Sequence, residues 1–169
     1  MKNVIVLTQL LIVLLLNGCT VSYKFNGASI DYTKTKTISV ADFPNIAESV
    51  YPPLASTFTE ALKDIYVRQT RLQLVKDGGD LQLEGEITGY TLTPLAISAD
   101  SYSAETKLTL TVRVRFTNNV NPDDSYEKQY TASQNFSSDQ MLTDVQDELI
   151  TTMVQEITES IYNDTVAKW

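Results

Sequence analysis

Four charged residues in two short runs carry the strongest hint of chemistry in this sequence. Glu84 and Glu86 stand two apart in the run Leu81 to Ile87, and Arg113 and Arg115 stand two apart in the run Leu108 to Phe116. Residues two apart share a face of an extended strand, so each pair would set two like charges side by side. Two carboxylates on one face are the raw material of general acid and base catalysis. Two guanidiniums, with Lys107 further along the same face, form an anion-binding strip, because Arg grips phosphate in a bidentate fork. A third reading needs no ligand. If the connection between the runs is centred near residues 99–100, Glu84 meets Arg115 and Glu86 meets Arg113. Cross-strand ion pairs, roughly 0.2–1 kcal/mol each, then account for all four residues. That reading ranks ahead of the strip, and the strip (Lys107, Arg113 and Arg115) ahead of catalysis.

The rest of the chain narrows the chemistry further. It contains no His and a single Cys, Cys19. Ser-His-Asp and Cys-His catalysis are excluded, as are imidazole and paired-thiolate metal sites and any disulfide within the chain. Asp77, Asp80, Asp123 and Asp124 fall in turn sequences without the spacing of a calcium loop, and read as solvated turn acids. No enzyme activity, metal or cofactor is expected. The net charge of −8 argues against nucleic acid, whose phosphates would be repelled.

Cys19 has a context of its own. Lys2 is the only charge before position 24, and Val4 to Leu16 is apolar apart from Thr8 and Gln9. This run is shorter than the roughly 20 residues of a membrane span and has the build of a secretory signal. It ends in Leu15-Leu16-Asn17-Gly18-Cys19, which resembles the lipobox read by signal peptidase II. Residues 1–18 are therefore read as a lipoprotein signal peptide and Cys19 as the lipid-attachment residue. Loss of Lys2 with the leader shifts the charge from −8 to −9. An acidic body has no electrostatic hold on an anionic membrane, so attachment falls to the acyl chains. Each buried CH₂ of such a chain contributes roughly 0.8 kcal/mol.

The elements that must position these residues follow from periodicity. Residues 19–36 are polar and read as a tether, with one short strand at Val21 to Phe25. The domain proper spans 37–169. Thr37 to Phe43 alternates as a first strand, ended by Pro44-Asn45. Pro52-Pro53 suits a first helical turn, and Leu54, Phe58, Ala61, Leu62 and Ile65 predict a helix over about 53–69. A short strand at Leu72 to Val75 and a turn at Asp77-Gly78-Gly79-Asp80 come next. Strands from Leu81, over 107–116 and from Tyr126 to Phe136 are separated by a loop at Ser98 to Ser103 and a turn over Asn118 to Asp124. Ser137 with Gln140 has the form of a capping box. The helix behind it carries an apolar stripe of Leu142, Val145, Leu149, Met153, Ile157 and Ile161. One-sided strands need a cover and two amphipathic helices supply it. The predicted class is α+β: a two-layer sandwich of a mainly antiparallel four-stranded sheet under two helices.

Several stretches resemble the LptE family of lipopolysaccharide-assembly lipoproteins. They are Ser39-Val40 with Phe43-Pro44-Asn45, Phe58-Thr59-Glu60-Ala61-Leu62, Gly79 through Ile87, Val112 through Asn118, and the final helix, which keep the family's order over most of residues 37–166. The resemblance implies a non-catalytic outer-membrane lipoprotein, partnered by an LptD-type β-barrel whose lumen it plugs and whose assembly it assists. Lipopolysaccharide itself is a second implied partner. Because that ligand is anionic and this chain acidic, the plug and assembly role outweighs direct ligand transport. The family supplies no contact residue here; Lys107, Arg113 and Arg115 rest on the strand pattern alone. Residues 20–26 lack the acidic cluster of surface-exported lipoproteins, so a periplasmic face is expected. Replacing Cys19 by Ser should abolish incorporation of labelled fatty acid; equal labelling of the two proteins would disprove the lipobox.

Overall fold

The computed structural model describes residues 28–49, 51–95 and 104–168. The signal peptide, Cys19, the expected strand at Val21 to Phe25 and the Ser98–Ser103 loop lie outside the described residues. The described residues form ten elements: β1 (Ala28–Ser29), β2 (Thr37–Val40), α1 (Leu54–Gln69), β3 (Gln73–Val75), β4 (Leu81–Leu95), β5 (Glu105–Asn118), a 3₁₀ turn (Pro122–Asp124), β6 (Tyr126–Ser137), α2 (Leu142–Thr165) and β7 (Ala167–Lys168).

The fold is α+β: beside the two-stranded ribbon β1-β7 stands a main sheet of order β3-β2-β4-β5-β6. This is five strands where four were expected, because the short strand after α1 joins at the edge. The sheet is also mixed. β2 runs parallel to both β3 and β4, while β4, β5 and β6 form an antiparallel meander. The parallel step arises because α1 lies between β2 and β3 and brings the chain back in the same direction.

What fixes β2 is the turn at residues 77–80. Gly78 takes φ +68°, which a residue with a side chain rarely adopts, and the bend aims Asp80 back at the start of β2. The Asp80 carboxylate accepts hydrogen bonds from the backbone N–H groups of Lys36 (2.7 Å) and Thr37 (3.0 Å). Its own N–H donates to Thr37 Oγ1 at 2.9 Å. These bonds hold the Asp80 carboxyl below the usual carboxylate range. Asp80 is a clamp between strands rather than a solvated turn acid.

One face of the sheet is covered over most of its area, with Leu92 near the end of β4 left about half exposed. Leu108, Leu110, Val112 and Val114 are wholly buried, with Phe116 almost so, and meet Leu54, Phe58 and Leu62 of α1 and Met153, Ile157 and Ile161 of α2 in a single core. Each such side chain contributes roughly 1.5–3 kcal/mol of burial. Gly85 opens room for Phe43, which packs on it and against Phe58 with ring centroids 5.1 Å apart. In β4 the register shifts between Ile87 and Gly89. The extra residue, Thr88, exchanges the inward set from odd to even positions, so Tyr90 is buried where alternation from Leu81 would expose it.

Two details of α2 differ from expectation. The helix begins at Leu142, and neither Ser137 nor Gln140 caps it. Ser137 closes β6 instead: its hydroxyl accepts from the Asp139 N–H and its carbonyl from the Gln140 N–H, a local turn that precedes the helix. The buried face is Ile150, Met153, Val154, Ile157, Thr158 and Ile161, with Leu142, Val145 and Leu149 only half-buried. A stripe of four-residue steps advances about 40° per step at 3.6 residues per turn, so it winds off the core within a few turns. Near its C-terminus α2 is pinned to β6 by Asp164, which accepts from Tyr130 Oη (2.7 Å) and Lys128 Nζ (2.6 Å). The segment read as a tether also contributes structure, since β1 pairs antiparallel with β7.

Two measurements check this architecture. Ile157→Asp buries an unpartnered carboxylate and should unfold the domain or cost several kcal/mol, while exposed Glu156→Ala stays near neutral. Equal melting temperatures would contradict the helix face. Asp80 has its carboxyl depressed in the folded state, so its stabilisation is present above about pH 4 and is lost as pH falls through the lower folded value. Asp80→Asn should therefore lower stability at neutral pH and lose less of it on acidification than the parent.

Candidate functional site

The outer face of the β4–β5–β6 meander holds Glu84, Glu86, Lys107, Arg113 and Arg115. Even positions of β5 turn into the core, so Lys107, Arg113 and Arg115 point outward with Thr109 and Thr111. The register places Glu84 opposite Arg115 and Glu86 opposite Arg113, the pairing deduced from the loop centre. On the other flank β6 sets Glu127 opposite Arg115 and Gln129 opposite Arg113.

The result is a five-residue ion cluster. Arg113 Nη1 donates to Glu86 Oε1 at 2.9 Å, and its Nε lies 4.0 Å from Glu127 Oε1. Arg115 spans Glu84 (3.8 Å) and Glu127 (3.5 Å). The Arg side chains are half exposed or more, so each contact is worth the ~0.2–1 kcal/mol of a surface pair. The three carboxylates and two guanidiniums sum to −1. Glu127 carries no signal of its own in the sequence, since a lone Glu on a strand stands out only once its register with β5 is known. Centring the β5–β6 turn on residue 121 would have put it beside Arg115.

The anion-binding strip is not assembled as one unit. Lys107 sits six residues along β5 from Arg113, roughly 20 Å away, between Thr93 and Asn135. Among the described residues it makes no ion pair. A band of small polar residues separates it from the ion cluster: Gly89, Thr111 and Thr131 in one row, then Thr91, Thr109 and Ser133 in the next. Thr111 and Thr131 link their hydroxyls at 3.3 Å.

The backbone under the ion cluster has no slack. A Cβ on Gly85 would stand 2.2 Å from the Arg113 carbonyl oxygen and 2.5 Å from the Phe43 ring. The shallow cavity over the cluster, about 270 Å³, is lined by the five charged residues and Gly85. A phosphate entering it would have to displace a carboxylate from each Arg. A larger cavity of about 440 Å³ opens at the end of the sandwich, between the Asp31 turn and the Asn118–Asp124 loop. Its acids are engaged: Asp31 accepts from the Thr33 N–H and hydroxyl, and Asp124 from Asn121 Nδ2. No group of three or more metal-ligating side chains occurs among the described residues.

Comparison with known proteins bears on the fold and the family. No curated protein matches the sequence. Solved structures share the fold at low identity. A minor lipoprotein from Acinetobacter baumannii superposes with a TM-score of 0.54 at 16% identity, over 79% of this chain and 94% of that one. A hypothetical protein from Chlamydia trachomatis gives 0.55 at 14% identity, over 79% and 98%. The rare lipoprotein B of Shewanella oneidensis gives 0.51 at 12% identity, over 76% and 92%. The LptE family, described as lipopolysaccharide-assembly, matches residues 35–165, from just before β2 to the last residue of α2. With the greater part of its length matched in this way, the chain belongs to the LptE family of lipopolysaccharide-assembly lipoproteins.

Proposed function

We propose that this protein is an outer-membrane lipoprotein, anchored through acyl chains on Cys19. Its body faces the periplasm, seats in the lumen of an LptD-type β-barrel, and helps that barrel assemble and deliver lipopolysaccharide to the outer leaflet. Its part is non-catalytic. The supporting observation is the outer sheet face, where both arginines are neutralised by carboxylates of the same sheet and the remainder is largely hydroxyl and amide. Such a face can lie against the polar, hydrated wall of a barrel interior without stranding charge. The space beneath the sheet is filled by wholly buried side chains, which argues against an apolar ligand chamber there. No described helix is long and apolar enough to cross a membrane.

A second reading keeps Lys107, Arg113 and Arg115 as direct contacts for phosphate groups of lipopolysaccharide or for an acidic barrel wall. The two readings separate experimentally. A tagged copy purified from outer membranes should bring down a large β-barrel; its absence would defeat the barrel assignment. Changing Arg113 and Arg115 together to Gln should cost modest stability. Changing Glu84 and Glu86 as well should restore part of it, as coupled pairs do. Barrel capture by the Arg variant should persist at low and high salt. A fully stable Arg variant that no longer captures the barrel would instead make Arg113 and Arg115 contact residues, with a salt dependence set by screening.

A further inference from the structure

Among the described residues, no strand pairs with the outer edge of the last strand of the sheet. β6 is 12 residues long, about 40 Å, and among the described residues pairs on one side only, with β5. Every second residue therefore turns its N–H and C=O outward. Proteins blunt such edges with Pro, bulges, exposed Lys or a covering segment. β6 follows β5 without a register shift from Tyr126 to Ser137, and it contains no Pro or Gly. From Gln129 to Ser137 it carries no charge, and its single Lys, Lys128, is held by Asp164. The other open edges are guarded: β3 is 3 residues long, and the stretch of β4 beyond the reach of β2 contains Pro94.

We propose that the free edge of β6 pairs antiparallel with the same edge of a second copy of this chain, about a two-fold axis at Thr131. Antiparallel neighbours must lie on the same face, so a two-fold axis has to fall on a residue. Thr131 is one of the two central choices. There, Gln129 faces Ser133, Glu127 faces Asn135 and Lys128 faces Gln134 of the second copy. Tyr130 faces Ala132, a large side chain against a small one, and Tyr126 meets Phe136 at both ends. No like charges oppose one another, and aromatic cross-strand pairs are favourable. Moving the axis to Ala132 loses the aromatic pairs, and moving it to Lys128 or Glu127 sets like charges face to face. The joined sheet would have ten strands, with outer faces continuing one into the other. The paired form is therefore that of lipoprotein not yet seated in a barrel, and seating one body excludes it. Two acidic bodies repel, so the pairing strengthens as salt screens them.

The test uses the full lipoprotein purified in detergent. Under mild oxidation Thr131→Cys should crosslink to itself. Asn135→Cys alone should not, yet it should crosslink when mixed with Glu127→Cys. Sedimentation should show a dimer for the parent, and loss of that dimer for Thr131→Lys and for Thr131→Glu separately. Mixing the Lys and Glu variants should restore it. A parent that stays monomeric at every concentration would overturn the proposal. So would self-crosslinking of Asn135→Cys as strong as that of Thr131→Cys, which marks chance collision within a micelle. A Thr131→Lys protein that dimerises like the parent would place the contact elsewhere and equally defeat it.

Discussion

The structure depends on how β2 is seated. A four-residue strand inserted parallel between two others has few hydrogen bonds of its own to set its register. A slip of one residue would send every side chain to the wrong face. The Asp80 carboxylate prevents this by gripping two successive N–H groups at the entrance of β2 while Thr37 grips the Asp80 N–H in return. With that register held, the Ala41 and Ile46 N–H groups reach the carbonyls of Leu83 and Ile87, and Phe43 arrives over Gly85. Phe43 in turn donates its N–H to the buried Thr59 hydroxyl of α1, so the same seating positions the first helix.

The ion cluster inherits this order from behind. Glu84 and Glu86 flank Gly85, and Gly85 is held between Phe43 and the Arg113 carbonyl. The charges therefore stand on backbone fixed by core packing, although each pair alone is a weak surface contact. What the cluster does for the fold is small; what it does for the outer face is to cancel charge on a broad polar surface.

Much of this was legible in the sequence, because the signals were periodic and local. α1 follows from Pro53 and the spacing of Leu54, Phe58, Leu62 and Ile65, and β5 from its uninterrupted alternation. The Glu–Arg register followed from placing the centre of one loop. What is not legible depends on how neighbouring elements meet. Ser137 and Gln140 fit a capping pattern, but the chain needs those residues to leave β6 before a helix can begin. The bulge at Thr88 is invisible to a period of two until Tyr90 turns up inside. The fifth strand needed knowledge of which way β3 would pair, and Asp80 looked like any turn acid until β2 lay beside it. Lys107 belonged to the same alternating pattern as the two arginines, and only distance along the strand shows it to stand apart.

The two-residue ribbon of β1 and β7 has a bearing on the order in which the chain organises itself. It joins positions near opposite ends of the sequence, so its closure waits on the whole intervening polypeptide. The entropy of closing so long a loop is met only after the meander and the two helices have drawn the ends together. With two residues on each side, the ribbon is the smallest paired unit of the fold, and it closes last and frays first. Each opening releases residues 28–29 and 167–168 together while the five-stranded sheet and the two helices stay intact.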